Sequence, residues 1–223
     1  MNTGFGKSTL ADSELSPSVL DAETEITLGL LNAVADNNAV TQRSVAHELG
    51  IALGLTNAYL KRCIAKGFIK VTHAPANRYA YYLTPQGFME KSRLTARYLS
   101  ISFNFFREAR GQCAQVFETC AQRGWKRIAL WGTSDLVEIA VLCVAEYPVE
   151  LAGVVGAGMG AHANLGLPIA EHLKALGAID AVVVTDLQDP QAIFEAAITV
   201  MPRERVLTPT FLNVSRNLPR LME

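Results

Sequence analysis

VTQRSVAHELGIALGLTNAYLKRCIAKGFIKVTHAPANRYAYYL, residues 40–83, decides how the rest of the chain is read. Thr41 is a good helix N-cap. Ser44 stands where a capping box would carry Glu or Gln, so a plain cap is expected. Val45, Ala46 and Leu49 give a first short helix one apolar face, and Gly50 ends it. A second helix is expected from about Leu53 to a stop at Gly67. Its inward face is made by Leu53, Thr56, Leu60, Cys63 and Ile64, at spacings of three and four. Leu55, Asn57, Ala58, Lys61, Arg62 and Ala65 then face outward. Residues 68–72 and 78–83 are short, aromatic and β-branched, and predict a hairpin turning at His73-Ala74-Pro75-Ala76-Asn77.

Helix, turn, helix, hairpin is the order of a winged helix-turn-helix. Its second helix enters a DNA major groove and its hairpin lies beside the backbone. On that reading double-stranded DNA is the partner, met by Gln42, Arg43, Asn57, Lys61, Arg62 and Arg78. Three runs carry a further resemblance: residues 41–51, from Thr41 to Ile51; Leu60-Lys61 with Lys66-Gly67-Phe68-Ile69-Lys70-Val71; and Tyr79 to Gly87, where Thr84-Pro85-Gln86-Gly87 opens the next helix. Residues 25–110 resemble the MarR-type winged-helix regulators, most closely the exopolysaccharide-associated group. The resemblance implies transcription regulation, pairing into homodimers and a link to polysaccharide synthesis. One departure is visible: the outward face begins with Gly54-Leu55, where many such regulators carry a polar or basic side chain.

Charge follows the same division. Residues 1–39 hold one Lys or Arg against six Asp or Glu, a net of −5; residues 40–110 hold eleven against three, +8; residues 111–223 hold eight against twelve, −4. A basic middle between acidic flanks is what a localised polyanion-binding module shows, although a solvated Lys-rich face gives the same count. Upstream, residues 1–20 are polar and Gly- and Ser-bearing and read as a flexible tail. Residues 22–36 predict a helix packed by Ile26, Leu28, Leu30, Leu31 and Val34.

Downstream, a long helical pattern runs from Pro85 to about Arg123, with a break allowed near Gly111. It carries two apolar stripes: Leu94, Tyr98, Ile101 and Phe105, and Leu99, Phe103 and Phe106. A helix apolar on two faces needs two partners. Its own domain is one, and a second copy of the chain is the expected other.

From Trp125 the texture changes. Strands are expected at Arg127–Gly132, Leu151–Ala157, Ile179–Thr185 and Arg205–Leu207, alternating with helices at Leu136–Glu146, Pro168–Leu176 and Pro190–Val200. Such alternation implies a parallel sheet with right-handed crossovers. Residues 125–210 resemble, more loosely, the small Rossmann-like domains of sugar-nucleotide-modifying enzymes. A dinucleotide turn needs three glycines, whereas Gly132-Thr133-Ser134-Asp135 supplies one, and no acidic residue follows Gly156 to hold a ribose. No nicotinamide cofactor is expected. A different small effector is expected at the strand ends, lined by Gly132, Thr133, Ser134, Asp135 and Gly156, unless this domain only docks a partner or plays a structural part. Ser134 or Asp135 would cap the following helix.

His47, His73, His162 and His172 show neither metal spacing nor a nucleophile nearby, so no catalytic or metal site is expected. Cys63, Cys113, Cys120 and Cys143 sit among apolar residues at helical positions and read as buried small hydrophobes of a reducing cytoplasm. No basic start precedes an apolar run, and no membrane-spanning stretch is expected. The architecture expected is a tail (1–20), an α+β winged helix-turn-helix (21–83), a linking and dimerising helix (84–123) and an α/β Rossmann-like domain (124–223). The function expected is a non-enzymatic, MarR-like transcriptional regulator. The alternatives are an accessory protein of polysaccharide assembly whose winged helix binds protein, and a sugar-nucleotide-binding enzyme.

Overall fold

The computed structural model describes residues 21–74, 78–156 and 165–216. Expectations for the tail 1–20, for the hairpin tip 75–77 and for 157–164, including His162, lie outside the described residues. The chain divides into two compact units whose boundary falls between Asn104 and Phe105, inside one continuous helix.

In the first unit, α1 spans Ala22–Asp36 and is capped by Asp21, whose carboxylate accepts from the Thr24 N–H at 2.7 Å. Leu28, Leu30, Leu31 and Val34 are buried, and Ile26 is half-buried. α2 (Gln42–Glu48) corrects one expectation: Thr41 and Ser44 form a reciprocal capping box. The Ser44 N–H donates to Thr41 Oγ1 and the Thr41 N–H donates to Ser44 Oγ, both at 3.0 Å. A serine hydroxyl also carries acceptor lone pairs, and here it takes the place that Glu or Gln usually fills in the box.

α3 runs Leu53–Ala65. Thr56, Leu60 and Cys63 are buried. Leu53 and Ile64, expected inside, are exposed, because they flank the Thr56–Leu60–Cys63 stripe rather than lie on it. The helix ends in a Schellman motif at Gly67 (φ +73°), with Phe68 N–H donating to Cys63 O and Gly67 N–H to Ile64 O, both at 2.9 Å. β1 (Ile69–Ala74) and β2 (Arg78–Leu83) pair antiparallel from Ile69↔Leu83 to Ala74↔Arg78. The first strand thus continues through His73 and Ala74, which were read as turn. His73 and Tyr79 stack across the pair at 4.8 Å, an anchor that keeps the ladder going. Leu30, Leu31, Val34, Val45, Ile69 and Tyr81 join the buried α3 residues and Leu94 in one core.

α4 spans Pro85–Gln122 without a break at Gly111. One glycine costs a helix about 1 kcal/mol. Its neighbours Ala109, Cys113, Val116, Phe117 and Cys120 form a buried stripe in the second unit that outweighs this cost. Among the residues expected on the first apolar stripe, Leu94 is buried in the first unit, Ile101 is half-buried, and Phe105 packs edge-on against Phe211 at 5.7 Å in the second. Tyr98, Leu99, Phe103 and Phe106 are exposed.

The second unit is a five-stranded parallel sheet: β3 (Arg127–Trp131), β4 (Glu150–Val155), β5 (Ile169–Ala170), β6 (Ala181–Val184) and β7 (Val206–Leu207), in the order β5-β4-β3-β6-β7. The run of buried aliphatics in β4 and β6 is what a strand covered on both faces requires. The second half of α4 and α5 (Leu136–Val144) cover one face. α6 (Pro190–Val200) covers the other together with Leu173 and Leu176. The helix expected at Pro168–Leu176 does not form. Val154 N–H donates to Pro168 O at 2.8 Å, which draws 169–170 into an edge strand and leaves only a 3-10 turn at Leu173–Leu176 before Gly177 (φ +80°). Leu173 and Leu176 point to one side because i and i+3 eclipse in a 3-10 turn, so the same apolar spacing serves both conformations. The last strand is likewise shortened, since Arg203–Arg205 form a 3-10 turn before β7.

Candidate nucleic-acid interface

The residues expected to meet DNA fall on α2, α3 and the hairpin, and the structure treats them differently. Arg43 on α2 and Lys61 on α3 are exposed, with no ion pair among the described residues. Both are long cations on short rigid helices, suited to reaching phosphates. Gln42 is exposed, and its Nε2 donates to the Tyr81 hydroxyl at 3.4 Å, a long contact that leaves its acceptor oxygen available. Arg62 is engaged. Its guanidinium pairs with Glu23 of α1 at 2.5 Å and lies over the Tyr59 ring at 4.9 Å. Asn57 is half-buried, with its Oδ1 enclosed and lacking a hydrogen-bond partner, so its amide turns partly inward rather than presenting a full base-reading fork. Arg78 opens β2 opposite Ala74.

Two further cations lie on these elements beside the residues expected from sequence. Lys70 is exposed on β1 beside buried Ile69, and Lys66 is exposed at the end of α3. The alternation Ile69-in, Lys70-out is the signal that places Lys70 on the outer face of the wing. Thr84 fixes how the wing leaves the domain. Its hydroxyl donates to Gly67 O at 2.6 Å and accepts from the Gly87 N–H at 3.0 Å, binding the end of α3 to the start of α4.

The second group of candidate residues is brought together, but into itself. Gly132 has φ +125°, and a Cβ there would fall 2.5 Å from Asp186 N and 2.7 Å from the Thr185 carbonyl carbon. Ser134 Oγ donates to Thr185 O at 2.5 Å, and Thr185 Oγ1 donates to Gly132 O at 3.2 Å. A Cβ on Gly156 would meet the Thr133 methyl at 2.5 Å. The β3 and β6 ends thus close on each other through Gly132, and Thr133 packs over Gly156. Asp135 occupies the cap position of α5 but makes no capping bond. Ser134 Oγ accepts from the Leu136 N–H at 3.3 Å instead. The Asp186 carboxylate accepts from the Gln188 and Asp189 N–H groups at 2.8 Å. An open groove of about 770 Å³ in this unit is lined by Trp131, His172, Leu173, Lys174, Ile179 and Met201, and by none of Gly132, Thr133, Ser134, Asp135 or Gly156. No motif in the sequence marks it. Leu173, Lys174 and Ala175 of the 3-10 turn form part of its wall.

The four cysteines are buried and free. Burial pushes the Cys63 and Cys120 thiols up to about 11 and Cys113 to about 12, and raises Cys143 as well. These are inert packing groups. Among the described residues no helix is long and apolar enough to cross a membrane.

A family described as winged helix-turn-helix DNA-binding matches residues 23–70, the stretch from α1 to the first residues of β1. No curated protein matches. Among solved structures, the PcaV transcriptional regulator from Streptomyces coelicolor with its natural ligand is 22% identical over 36% of this chain and 59% of that one, with a TM-score of 0.34. MepR, a regulator of a Staphylococcus aureus multidrug efflux pump, is 21% identical over 38% and 62%, with a TM-score of 0.33. The zinc-responsive MarR family member ZitR of Lactococcus lactis is 18% identical over 43% and 65%, also at 0.33. This chain therefore spans about three-fifths of the length of those regulators. Residues 23–70 thus carry the winged helix-turn-helix pattern of a family described as DNA-binding.

Proposed function

We propose that the chain is a cytoplasmic, homodimeric, MarR-like transcriptional regulator. Its winged unit binds double-stranded DNA, and its second unit, a Rossmann-like domain by strand order, answers a small effector or a partner. The observation that carries the reading is the set of uncommitted cations Arg43, Lys61 and Lys70 on α2, α3 and β1 of a segment that matches a DNA-binding family. Three phosphate contacts per subunit, doubled by a dimer, give a salt slope of about −5 in log affinity against log salt. Fluorescence anisotropy with duplexes from the protein's own upstream region measures that slope. A slope near zero, or no duplex bound at low salt, overturns the reading. The motif runs 41–51 and 79–87 support the MarR-like and polysaccharide-linked assignment. The exposed side chains of Tyr98, Leu99, Phe103 and Phe106 on α4 support the dimer, which light scattering tests. The strand order in sequence terms is 3-2-1-4-5, the arrangement of doubly wound nucleotide-binding sheets, and it supports the Rossmann-like description.

A second reading rests on a different observation. Leu53 and Leu55 are exposed on α3, where a protein partner would find an apolar surface. An accessory protein of polysaccharide assembly that docks through this helix would capture protein and ignore duplex DNA.

A further inference from the structure

The outward face of α3 is apolar over its first two turns, and this sets what kind of base it can read. Ala52, Leu53, Gly54, Leu55 and Ala58 are all exposed, with Leu53 and Leu55 each 42% accessible. The polar side chains that would make hydrogen-bonded base contacts are withdrawn. The Thr56 hydroxyl is buried and donates to Ala52 O, Asn57 turns its carboxamide oxygen inward, and Arg62 is held by Glu23 and Tyr59. Lys61 stands one turn further on.

Gly54 adds an independent observation. Its backbone is ordinary helix, and a Cβ placed there meets nothing within 4 Å. The fold has no use for glycine at this position, yet glycine in a helix is worse than alanine by about 0.5–1 kcal/mol. Its missing Cβ serves whatever approaches from outside. An incoming surface can thereby reach the helix backbone beside the Leu55 side chain.

The surroundings choose the occupant. The winged unit from residue 21 to 104 holds nine Lys or Arg against six Asp or Glu, a net of +3, and Arg43, Lys61 and Lys70 are exposed on it. An apolar protein surface gains nothing from this charge, whereas a polyanion does. In a major groove the apolar feature that distinguishes base pairs is the C5-methyl group of thymine. We infer that α3 reads thymine through a methyl contact made by Leu55, with Gly54 giving the close approach, and that each half-site carries an A·T pair at that position. This inference rests on the DNA-binding reading above and specifies it.

The test uses the full-length protein and duplexes enriched from a randomised pool. Each enriched duplex is remade with uracil in place of thymine, which removes only the methyl groups. Loss of one buried methyl should weaken binding about fourfold, so one contact in each of two half-sites gives more than tenfold. Leu55→Ala, an exposed change that leaves the core intact, should weaken the thymine duplex and reduce its sensitivity to uracil. Gly54→Ala should raise the melting temperature while weakening DNA binding. Tight binding that is unchanged by uracil overturns the methyl inference and leaves the DNA-binding reading standing. Enrichment of no duplex at low salt overturns both. Gly54→Ala with unchanged affinity removes the close-approach argument.

Discussion

Gly87→Ala should unfold the winged unit more easily, against the usual direction of such a change. A glycine-to-alanine substitution inside a helix ordinarily stabilises by about 0.5–1 kcal/mol. At Gly87, near the start of α4, the added Cβ would lie 2.0 Å from the Phe68 carbonyl oxygen and 2.9 Å from its carbon. Real Cβ atoms essentially never come within 3.0 Å of such a neighbour, so helix and carbonyl must part by about 1 Å. The obstacle is backbone and cannot swing aside. The same carbonyl accepts the Thr84 N–H at 3.0 Å, and Thr84 bridges to Gly67 O at 2.6 Å. Losing two hydrogen bonds at about 1 kcal/mol each, and overpacking at about 1–3 kcal/mol, outweighs the propensity gain and leaves a net cost of about 2–4 kcal/mol. Gly111 is the control. It is exposed in the same helix with nothing within 4 Å of its Cβ position, so Gly111→Ala should gain about 1 kcal/mol. Urea unfolding followed by far-UV circular dichroism compares the two. The midpoint should fall for Gly87→Ala and rise for Gly111→Ala at unchanged slope. A Gly87→Ala protein as stable as its parent would refute the close-approach account of this corner.

Arg43→Ala and Lys61→Ala should each reduce the salt slope of duplex binding by about 1, whereas Arg62→Ala should change it less, since Glu23 already offsets that charge; equal effects from all three would show that the Glu23 pair opens on binding. Iodoacetamide at neutral pH should label the folded protein slowly at all four cysteines, and quickly only in denaturant, because burial holds Cys63 and Cys113 at about 11 and 12. Rapid labelling of Cys113 in the native protein would contradict its place on the buried stripe of α4. The Asp180 carboxylate accepts the Arg127 and Lys126 N–H groups, both at 2.9 Å, which lowers its pKa below the ordinary 3.8. A depressed folded-state pKa contributes stability above the ordinary value and loses it as pH falls through the folded one. Asp180→Asn should therefore destabilise the second unit at neutral pH and narrow its difference from the parent in acid. A difference that stays constant down the acid limb would rule out this carboxylate's contribution.

Much of the fold was legible in the chain because its signals are local. Both Asp21 and Asp189 cap helices directly, and the limits of α1, α6 and β2 follow from caps and breakers a few residues apart. What failed was set by distant pairing. Pro168–Leu176 has helical spacing, yet the edge of β4 supplies a donor at Val154 that takes Pro168 O into the sheet. Gly111 looked like a break, and a buried stripe of five residues carried the helix through it. Leu53 and Ile64 fitted the inward pattern of α3 by spacing alone, but the core admits only the narrower stripe of Thr56, Leu60 and Cys63.

The candidate sites were legible as chemistry and not as availability. A charge count treats Lys61 and Arg62 alike, since they are adjacent cations on one helix. The difference between them is made by Glu23, 39 residues away in sequence, whose position beside α3 depends on how α1 packs. Gly132-Thr133-Ser134 could be recognised as a turn at the end of a central strand, where open parallel sheets bind ligands. Whether such a turn stays open depends on what the neighbouring strand brings to it. Here β6 brings Thr185 and Asp186 against Gly132, and the hydroxyls of Ser134 and Thr185 are used in holding that contact. Room for a ligand in this unit therefore depends less on the glycine count of the turn than on what distant segments bring to each strand. The β5-to-β6 crossover packs Leu173 and Leu176 into the cluster that Trp131 joins, and its residues line the groove beside that ring.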